Sequence, residues 1–321
     1  MPRNILRLIA WYILLLLHSQ YIHNATSQHM KYIRGKTYED KTNNVPTSLP
    51  STRFFMTSSS SSEATGRLTY NHGPLISQVK VILILWGGSS KVRYASNLQK
   101  FYSAIVTKSD WFYLLSQEYS TVNQTIDYGS LYFTYSFNLA PIGRIVSRDE
   151  IERHIQHLMD QGSIPPPDIN TYYAIHLAPK TSPNDFCIYS CAWHSSLLYN
   201  GDTNKTQQQQ LIYYGVIPDQ DSCPNGCGTG LSSLFSTTSH ELAEAITDPT
   251  GEGWMDRTMY AEVADLCWDN GTTMGSDGKV YVIQQIWSNS KGTCESGMTI
   301  PTIRPTRKPL SPRKSPSKKK Y

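Results

Sequence analysis

The sequence predicts an α/β fold, a mixed twisted sheet with packed helices that disulfides stabilise. Segments typical of strands alternate with segments typical of helices through the middle of the 321-residue chain. One segment, VKVILILWGG, is a continuous apolar stretch of the kind found in strands buried on both faces. Six cysteines, an even number, lie in the second half of the chain, where disulfides can staple the fold.

The first half of the alternating region predicts three strands and the helices between them. After VKVILILWGG, residues 94–119 space their apolar side chains as on a helix face, with a break near Ser109. SLYFTYSF has the composition of a strand. SRDEIERHIQHLMDQG predicts a helix, since it begins with a serine N-cap and an acidic first turn and ends at glycine. TYYAIHLAP then predicts the third strand.

The second half of this region predicts an edge hairpin and then a long helix. AWHSSLLY and QQLIYYGVIPD have the composition of two short strands joined by a polar loop. GLSSLFSTTSHELAEAITDP follows as a helix. A mixed sheet followed by such a helix is similar to the arrangement of secreted peptidases of the metzincin type. That likeness concerns architecture, whereas function depends on the site.

The N-terminus predicts export. Arg3 and Arg7 precede LIAWYILLLL, an apolar stretch that is short for a membrane span and is followed at once by polar residues. The pattern predicts a signal peptide over residues 1–25, with the cut between His18 and Ser27. An uncleaved membrane anchor is the alternative. The expected location is therefore secreted and extracellular.

The rest of the chain divides into a central domain and two flexible ends. Residues 26–66 predict a disordered leader, residues 67–298 the α/β domain, and residues 299–321 a basic, proline-rich disordered tail. The positive charge of this tail exceeds the formal charge of +4, so the rest of the chain has no excess of positive charge and no nucleic-acid partner is expected. The expected partner is a peptide or an acidic extracellular matrix component. No stable membrane span is expected after signal cleavage.

Cysteines and sequons agree with an oxidising compartment. Disulfides are the expected state of the six cysteines, although their pairing is open, and a zinc site built from the two C-x-x-x-C pairs is the alternative. The cysteines are Cys187, Cys191, Cys223, Cys227, Cys267 and Cys294. Three N-x-S/T sequons predict glycan sites in a eukaryotic source, at Asn123, Asn204 and Asn270.

The motif SHELAEAITDP carries the predicted chemistry. It resembles the zinc-peptidase signature H-E-x-x-H, with Glu244 in place of the second histidine. At 100° per residue, His240, Glu244 and Asp248 share one stripe of the helix, opposite an apolar face. Carboxylates are accepted zinc ligands, so His240 and Glu244 are predicted to bind Zn²⁺, with another divalent cation as the alternative. Glu241 is the predicted catalytic base. A solvated amphipathic helix face is the competing interpretation.

A third ligand is predicted from the segment after this helix. In YAEVADLC, Glu262 follows Glu244 by eighteen residues and is the predicted third metal ligand. Three residues are predicted to contact the metal ligands and orient them rather than to bind the metal themselves: Asp265, Asp248 and His194. Asp248 is two helical turns from His240, which favours a capping or bridging role. For His194, a structural histidine beside a disulfide is the alternative.

Five segments together resemble one family. GPLISQVKVILILWGG, CIYSCAWH, CPNGC, SHELAEAITDP and EVADLC occur in an order and at separations similar to those of the EXORDIUM and phosphate-induced-protein family, over roughly Leu68 to Cys294. Plant members usually continue H-E-L-A-E with N-P, where this chain has D-P, and their glycine-rich insertion is shortened here to DNGTTMGSDGK. The resemblance implies an extracellular protein linked, in plants, to growth signalling.

Two functions fit these observations. The first is a secreted, peptidase-like, metal-dependent hydrolase that uses the H-E-x-x-E motif and a downstream glutamate. The alternative is a noncatalytic extracellular signalling or matrix-associated protein, with a structural metal or no metal. The first requires an open coordination position beside Glu241, and the second does not.

Overall fold

The computed structural model describes residues 67–199 and 210–299. The predicted signal peptide, leader and basic tail, and the sequon at Asn204, lie outside the described residues. Four α-helices are present in these ranges: α1 (Ala95–Thr107), α2 (Asp110–Tyr119), α3 (Arg148–Asp160) and α4 (Gly230–Thr247). The strands are β1 (Thr69–Tyr70), β2 (Gln78–Trp86), β3 (Asp127–Phe137), β4 (Thr171–Leu177), β5 (Trp193–Tyr199), β6 (Gln210–Ile217), β7 (Trp254–Met255), β8 (Asn270–Met274), β9 (Val280–Gln284), β10 (Ile286–Ser288) and β11 (Thr293–Glu295).

The central sheet has five strands in the order β3-β2-β4-β6-β5. The first four run parallel to their neighbours, whereas β5 pairs antiparallel with β6 and forms one edge. This confirms the predicted mixed sheet and its edge hairpin. All seven residues of β4 are buried, as expected for an interior parallel strand covered on both faces. Three further two-stranded sheets pair β1 with β7, β8 with β9, and β10 with β11.

Two apolar layers cover the sheet, one on each face. Along β2 the side chains alternate, so Val81 and Leu83 enter the larger layer while Ile82 and Ile84 enter the smaller one. The larger layer contains the apolar faces of α1, α2 and α4, and the smaller one that of α3. The predicted break near Ser109 is confirmed, since its side-chain oxygen accepts the Phe112 N–H at 3.0 Å and caps α2.

Disulfides fix the elements that carry the candidate site. Cys187 pairs with Cys223 and Cys191 with Cys227, so the loop before β5 is linked twice to the segment between β6 and α4. Cys267–Cys294 links the segment before β8 to β11. The prediction of disulfides is confirmed, and the alternative of a cysteine zinc site is excluded because all six thiols are paired. None of the helices in residues 67–199 and 210–299 has the length and apolar composition needed to span a bilayer.

One prediction concerns His176, an imidazole buried on β4 with its Nε2 3.0 Å from the Tyr102 hydroxyl. Burial lowers the pKa of His176 to about 3, against an ordinary value of about 6.5. Between these values the unfolded chain binds a proton that the folded chain does not. The free energy of unfolding should therefore fall as the pH falls, by about 1.4 kcal/mol per pH unit from this group.

Urea unfolding between pH 6 and 4 gives the free energy of unfolding as a function of pH. For His176→Asn this free energy should change less steeply with pH than for the wild type, by the contribution of one proton. His157→Asn, which changes an exposed histidine on α3, is the matched control and should keep the wild-type slope. Equal slopes in His176→Asn and the wild type would contradict the assignment.

Candidate metal centre

Helix α4 carries the H-E-x-x-E motif on a face that is covered, not solvated. Glu241 and Glu244 are each only 4% exposed, and Asp248 is fully buried. The helix packs against β5, β6 and β9, which enclose it from several sides. The interpretation of this motif as a solvated amphipathic face is therefore wrong, because carboxylates on such a face would be in water.

The edge strand β5 brings His194 to the two glutamates of the motif. Its Nδ1 lies 3.4 Å from Glu241 Oε2 and 3.6 Å from Glu244 Oε2. The strand begins two residues after Cys191, so the Cys191–Cys227 disulfide links the approach to β5 with the approach to α4. His194 is thus part of the cluster and not only a structural histidine beside a disulfide.

The segment after β7 supplies two more carboxylates. Glu262 lies against His194, with its Oε2 3.4 Å from Nε2. Asp265 lies against His240, with its Oδ1 3.7 Å from Nε2. The second oxygen of Asp265 accepts the Glu262 N–H at 3.0 Å, so one turn of backbone places both side chains.

His240 contacts two carboxylates of the cluster, those of Glu244 and Asp265. Its Nε2 lies 3.1 Å from Glu244 Oε2, one helical turn along α4. The ligand atoms of His240, Glu244 and Asp265 lie within 4.8 Å of one another. A second group with the same closeness consists of His194, Glu241 and Glu244. The structure thus brings Asp265 to His240, whereas the predicted third ligand, Glu262, is placed on the far ring nitrogen of His194.

Gln284, at the end of β9, was not among the predicted site residues, and it fixes the ring of His240. Its Nε2 donates to the carbonyl oxygens of Ala264 and Cys267, at 2.9 and 2.6 Å. Its Oε1 is therefore directed at His240 Nδ1, 3.1 Å away, and accepts a hydrogen bond from it. When the His240 ring is neutral, that bond leaves the lone pair of Nε2 toward Glu244 and Asp265. A polar residue in the apolar strand VYVIQ was the available signal.

The electrostatics of the cluster are those of buried like charges. Burial, followed by the charge of Asp265, raises the pKa of Glu244 to about 7 although His240 opposes the shift. Burial and the neighbouring charge of Glu244 raise the pKa of Glu262 well above its ordinary value. Burial lowers the pKa of each histidine, but Glu241 and Glu244 outweigh it, so the pKa values of His194 and His240 are raised. The carboxylates therefore need protons or cations beside them.

The cluster has the donors that a divalent cation requires. Among the described residues, no lysine or arginine nitrogen lies within 4 Å of the carboxylates of Glu241, Glu244 or Asp248. Glu244 Oε1 is buried and has no hydrogen-bond partner in the described part of the chain. In a tetrahedral zinc site with bonds of about 2.0–2.2 Å, the ligand atoms lie about 3.3–3.6 Å apart. The 3.1–3.7 Å separations around Glu244 Oε2 and His240 Nε2 are close to this spacing.

Asp248 ends α4 and does not point at His240. It is the C-cap residue, and its Oδ1 accepts the Gly253 N–H at 2.7 Å. Burial raises the pKa of Asp248 to about 6, although backbone N–H groups, that of Gly253 first, oppose the shift. This agrees with the predicted capping role.

Of the predicted glycan sites, Asn123 is exposed in a turn, and exposed Asn270 on β8 accepts a hydrogen bond from Ser236. Their modification stays a prediction.

Comparison with known proteins confirms the family resemblance. The chain is 23% identical over 310 residues to "Protein EXORDIUM-like 5" of Arabidopsis thaliana, an alignment that covers 78% of this chain and 84% of that protein. It is also 23% identical over 279 residues to "Protein EXORDIUM-like 3" of the same plant, covering 71% and 82%. No protein-family model and no solved structure matches the chain.

The placement of Asp265 and Glu262 leads to a test of the third ligand. Asp265→Asn should lower zinc affinity more than about 100-fold, beyond the range of a residue that only orients a ligand. Glu262→Gln should remain within the roughly 10–100-fold range of an orienting residue, because Glu262 contacts His194 and acts through it. Competition with a coloured zinc chelator measures both affinities. The opposite ranking would restore Glu262 as the third ligand.

Proposed function

From the similarity of the chain to EXORDIUM-like proteins and from its buried cluster, we propose that it is a secreted, metal-dependent hydrolase of peptidase-like architecture. The observation that carries the proposal is the burial of Glu241 and Glu244 with His194 and His240 and without a lysine or arginine partner among the described residues. The order of the mixed sheet, its antiparallel edge strand β5 and then α4 supports a metzincin-like arrangement. Secretion is supported by the N-terminal pattern and by three disulfides.

His240 and Glu244 would hold the ion, and the third ligand would come from the YAEVADLC turn. The donors fit zinc, for which histidine and carboxylates are ordinary ligands. An oxygen-rich set also fits manganese, magnesium or calcium. When bound, zinc polarises a water or carbonyl oxygen as a Lewis acid. The negative ligands Glu244 and Asp265 make this effect weaker than three neutral histidines would.

Glu241 is the residue that would accept the proton of the attacking water. Its carboxylate lies beside the ligand positions, and His194 hydrogen-bonds to its Oε2 and so limits its rotation. Gln284 keeps His240 in the tautomer with a free Nε2 lone pair. These residues provide binding, orientation and proton acceptance, which together are the parts of a hydrolytic site.

One observation favours the second candidate, a noncatalytic extracellular protein with a structural ion. The side chain of Glu241 is only 6% exposed and that of His194 10%, so the proposed base is covered. A base that must reach a substrate-bound water needs an open position next to it. The two candidates therefore differ in whether a water can stand beside Glu241.

Metal analysis combined with Glu241→Gln separates the two candidates. If the protein is a hydrolase, the dialysed wild type contains tightly bound zinc and cleaves members of a mixed peptide library. Glu241→Gln should keep that ion and lose activity by about 10²–10⁴-fold, the range for a general base. Glu252→Gln, at an exposed ion pair with Arg257, is the matched control and should remain active.

The remaining outcomes decide against the enzyme. A bound ion without hydrolysis in either protein supports the structural-ion candidate. Hydrolysis that persists in Glu241→Gln removes Glu241 as the base, and a wild type without any ion removes the metal-dependent mechanism.

A further inference from the structure

The carboxylate of Glu244 lies between two histidines. Its Oε2 is 3.1 Å from His240 Nε2 and 3.6 Å from His194 Nδ1. Each histidine has a further carboxylate of its own at the same nitrogen, Asp265 for His240 and Glu241 for His194. The cluster therefore contains two groups of possible ligand atoms that share one residue.

The second group has the geometry of a cation site in its own right. The Nδ1 of His194 is 3.4 Å from Glu241 Oε2 and 3.6 Å from Glu244 Oε2, which are about the spacings between ligands of a tetrahedral ion. The other nitrogen of His194 faces Glu262 at 3.4 Å. With its proton on Nε2, the neutral ring of His194 would present the Nδ1 lone pair to an ion.

The free oxygen of Glu244 provides an independent reason for a second ligand. Its Oε1 is buried and has no hydrogen-bond partner within residues 67–199 and 210–299, and the side chain is only 5% exposed. Burying such an oxygen without a partner costs about 1–3 kcal/mol, and more for a charged group. A carboxylate can bridge two cations through one oxygen or through both, so the unpartnered Oε1 is available to a second ion besides Oε2.

The balance of charge points the same way. Five carboxylates belong to the cluster, those of Glu241, Glu244, Asp248, Glu262 and Asp265, and its histidines can bind metal only when they are neutral. If all five are ionised, one divalent ion leaves a net charge of about −3, whereas two leave about −1. Both charges follow from +2 per ion and −1 per carboxylate.

We propose that the cluster holds two adjacent divalent cations bridged by Glu244. The first is bound by His240, Glu244 and Asp265, and rests on the proposed function. The second is bound by His194, Glu241 and Glu244. It binds more weakly, because the first ion repels it and has already neutralised the shared carboxylate. Since this ion engages Glu241, a high cation concentration withdraws the proposed proton acceptor from use.

Zinc stoichiometry tests the proposal without any activity assay. Equilibrium dialysis of the full-length secreted protein against increasing Zn²⁺ should show one more ion per chain in the wild type than in His194→Gln. His157→Gln, which removes an exposed imidazole on the opposite side of the sheet, should match the wild type. Glu241→Gln should lose the same single ion as His194→Gln, and it serves as the test if His194→Gln does not fold.

Each other result overturns the proposal in a recognisable way. Equal ion counts in the wild type, His194→Gln and Glu241→Gln show that no ion occupies the second group. Loss of one and the same ion from both His194→Gln and His240→Gln shows a single ion held by both histidines. In these cases the first ion survives, and with it the proposed function. A wild type that binds no ion removes both.

The closeness of the two ions can be measured directly. With Mn²⁺ as the probe, the wild type at saturation should give the broadened, spin-coupled spectrum of ions about 3.5–4 Å apart. His194→Gln should give the spectrum of isolated Mn²⁺. Isolated Mn²⁺ spectra in both proteins would place any second ion away from Glu244.

Discussion

The structure depends on one electrostatic constraint, the burial of several carboxylates around Glu244 at one end of α4. An uncompensated buried carboxylate costs several kcal/mol, so a domain of ordinary stability cannot keep a group of them without protons, cations or hydrogen-bonded partners. The partners of Glu241 and Glu244 are two histidines, His194 and His240. Glu244 Oε1 has no hydrogen-bond partner in the described part of the chain. Divalent cations would satisfy this constraint with the donors that are present.

The fold holds the cluster by joining elements that are distant in the sequence. His194 comes from the antiparallel edge strand β5, the motif from α4, and Asp265 from the turn before β8. Three disulfides lie beside these elements, and two of them connect the approach to β5 with the approach to α4. Gln284 adds a link from β9, since its amide binds both the His240 ring and the backbone next to Asp265. The large apolar layer beneath α4 makes this framework rigid enough to position ligand atoms.

The helices and strands could be predicted from the sequence because the residue patterns that indicate them are local. The apolar run of β2, the Ser109 break and the serine cap of α3 each depend on neighbouring residues, and the structure confirms them. The helical stripe likewise predicted that His240 and Glu244 would meet. Contacts between distant segments could not be predicted in the same way, because spacing along the chain does not determine which carboxylate approaches which histidine. Asp265 therefore lies at His240 where Glu262 was expected, and Gln284, a neutral side chain, carried no signal of metal chemistry.

The central claim is that the cluster binds a divalent cation that stabilises the fold, and thermal unfolding with and without a chelator tests it most directly. An ion present at about 100 times its dissociation constant adds about 2.7 kcal/mol to the free energy of unfolding. For a domain of this size that corresponds to a loss of roughly 5–10 °C in Tm when the chelator is added. His240→Ala should unfold at the same temperature with and without the chelator. A wild-type Tm that the chelator leaves unchanged would contradict the account.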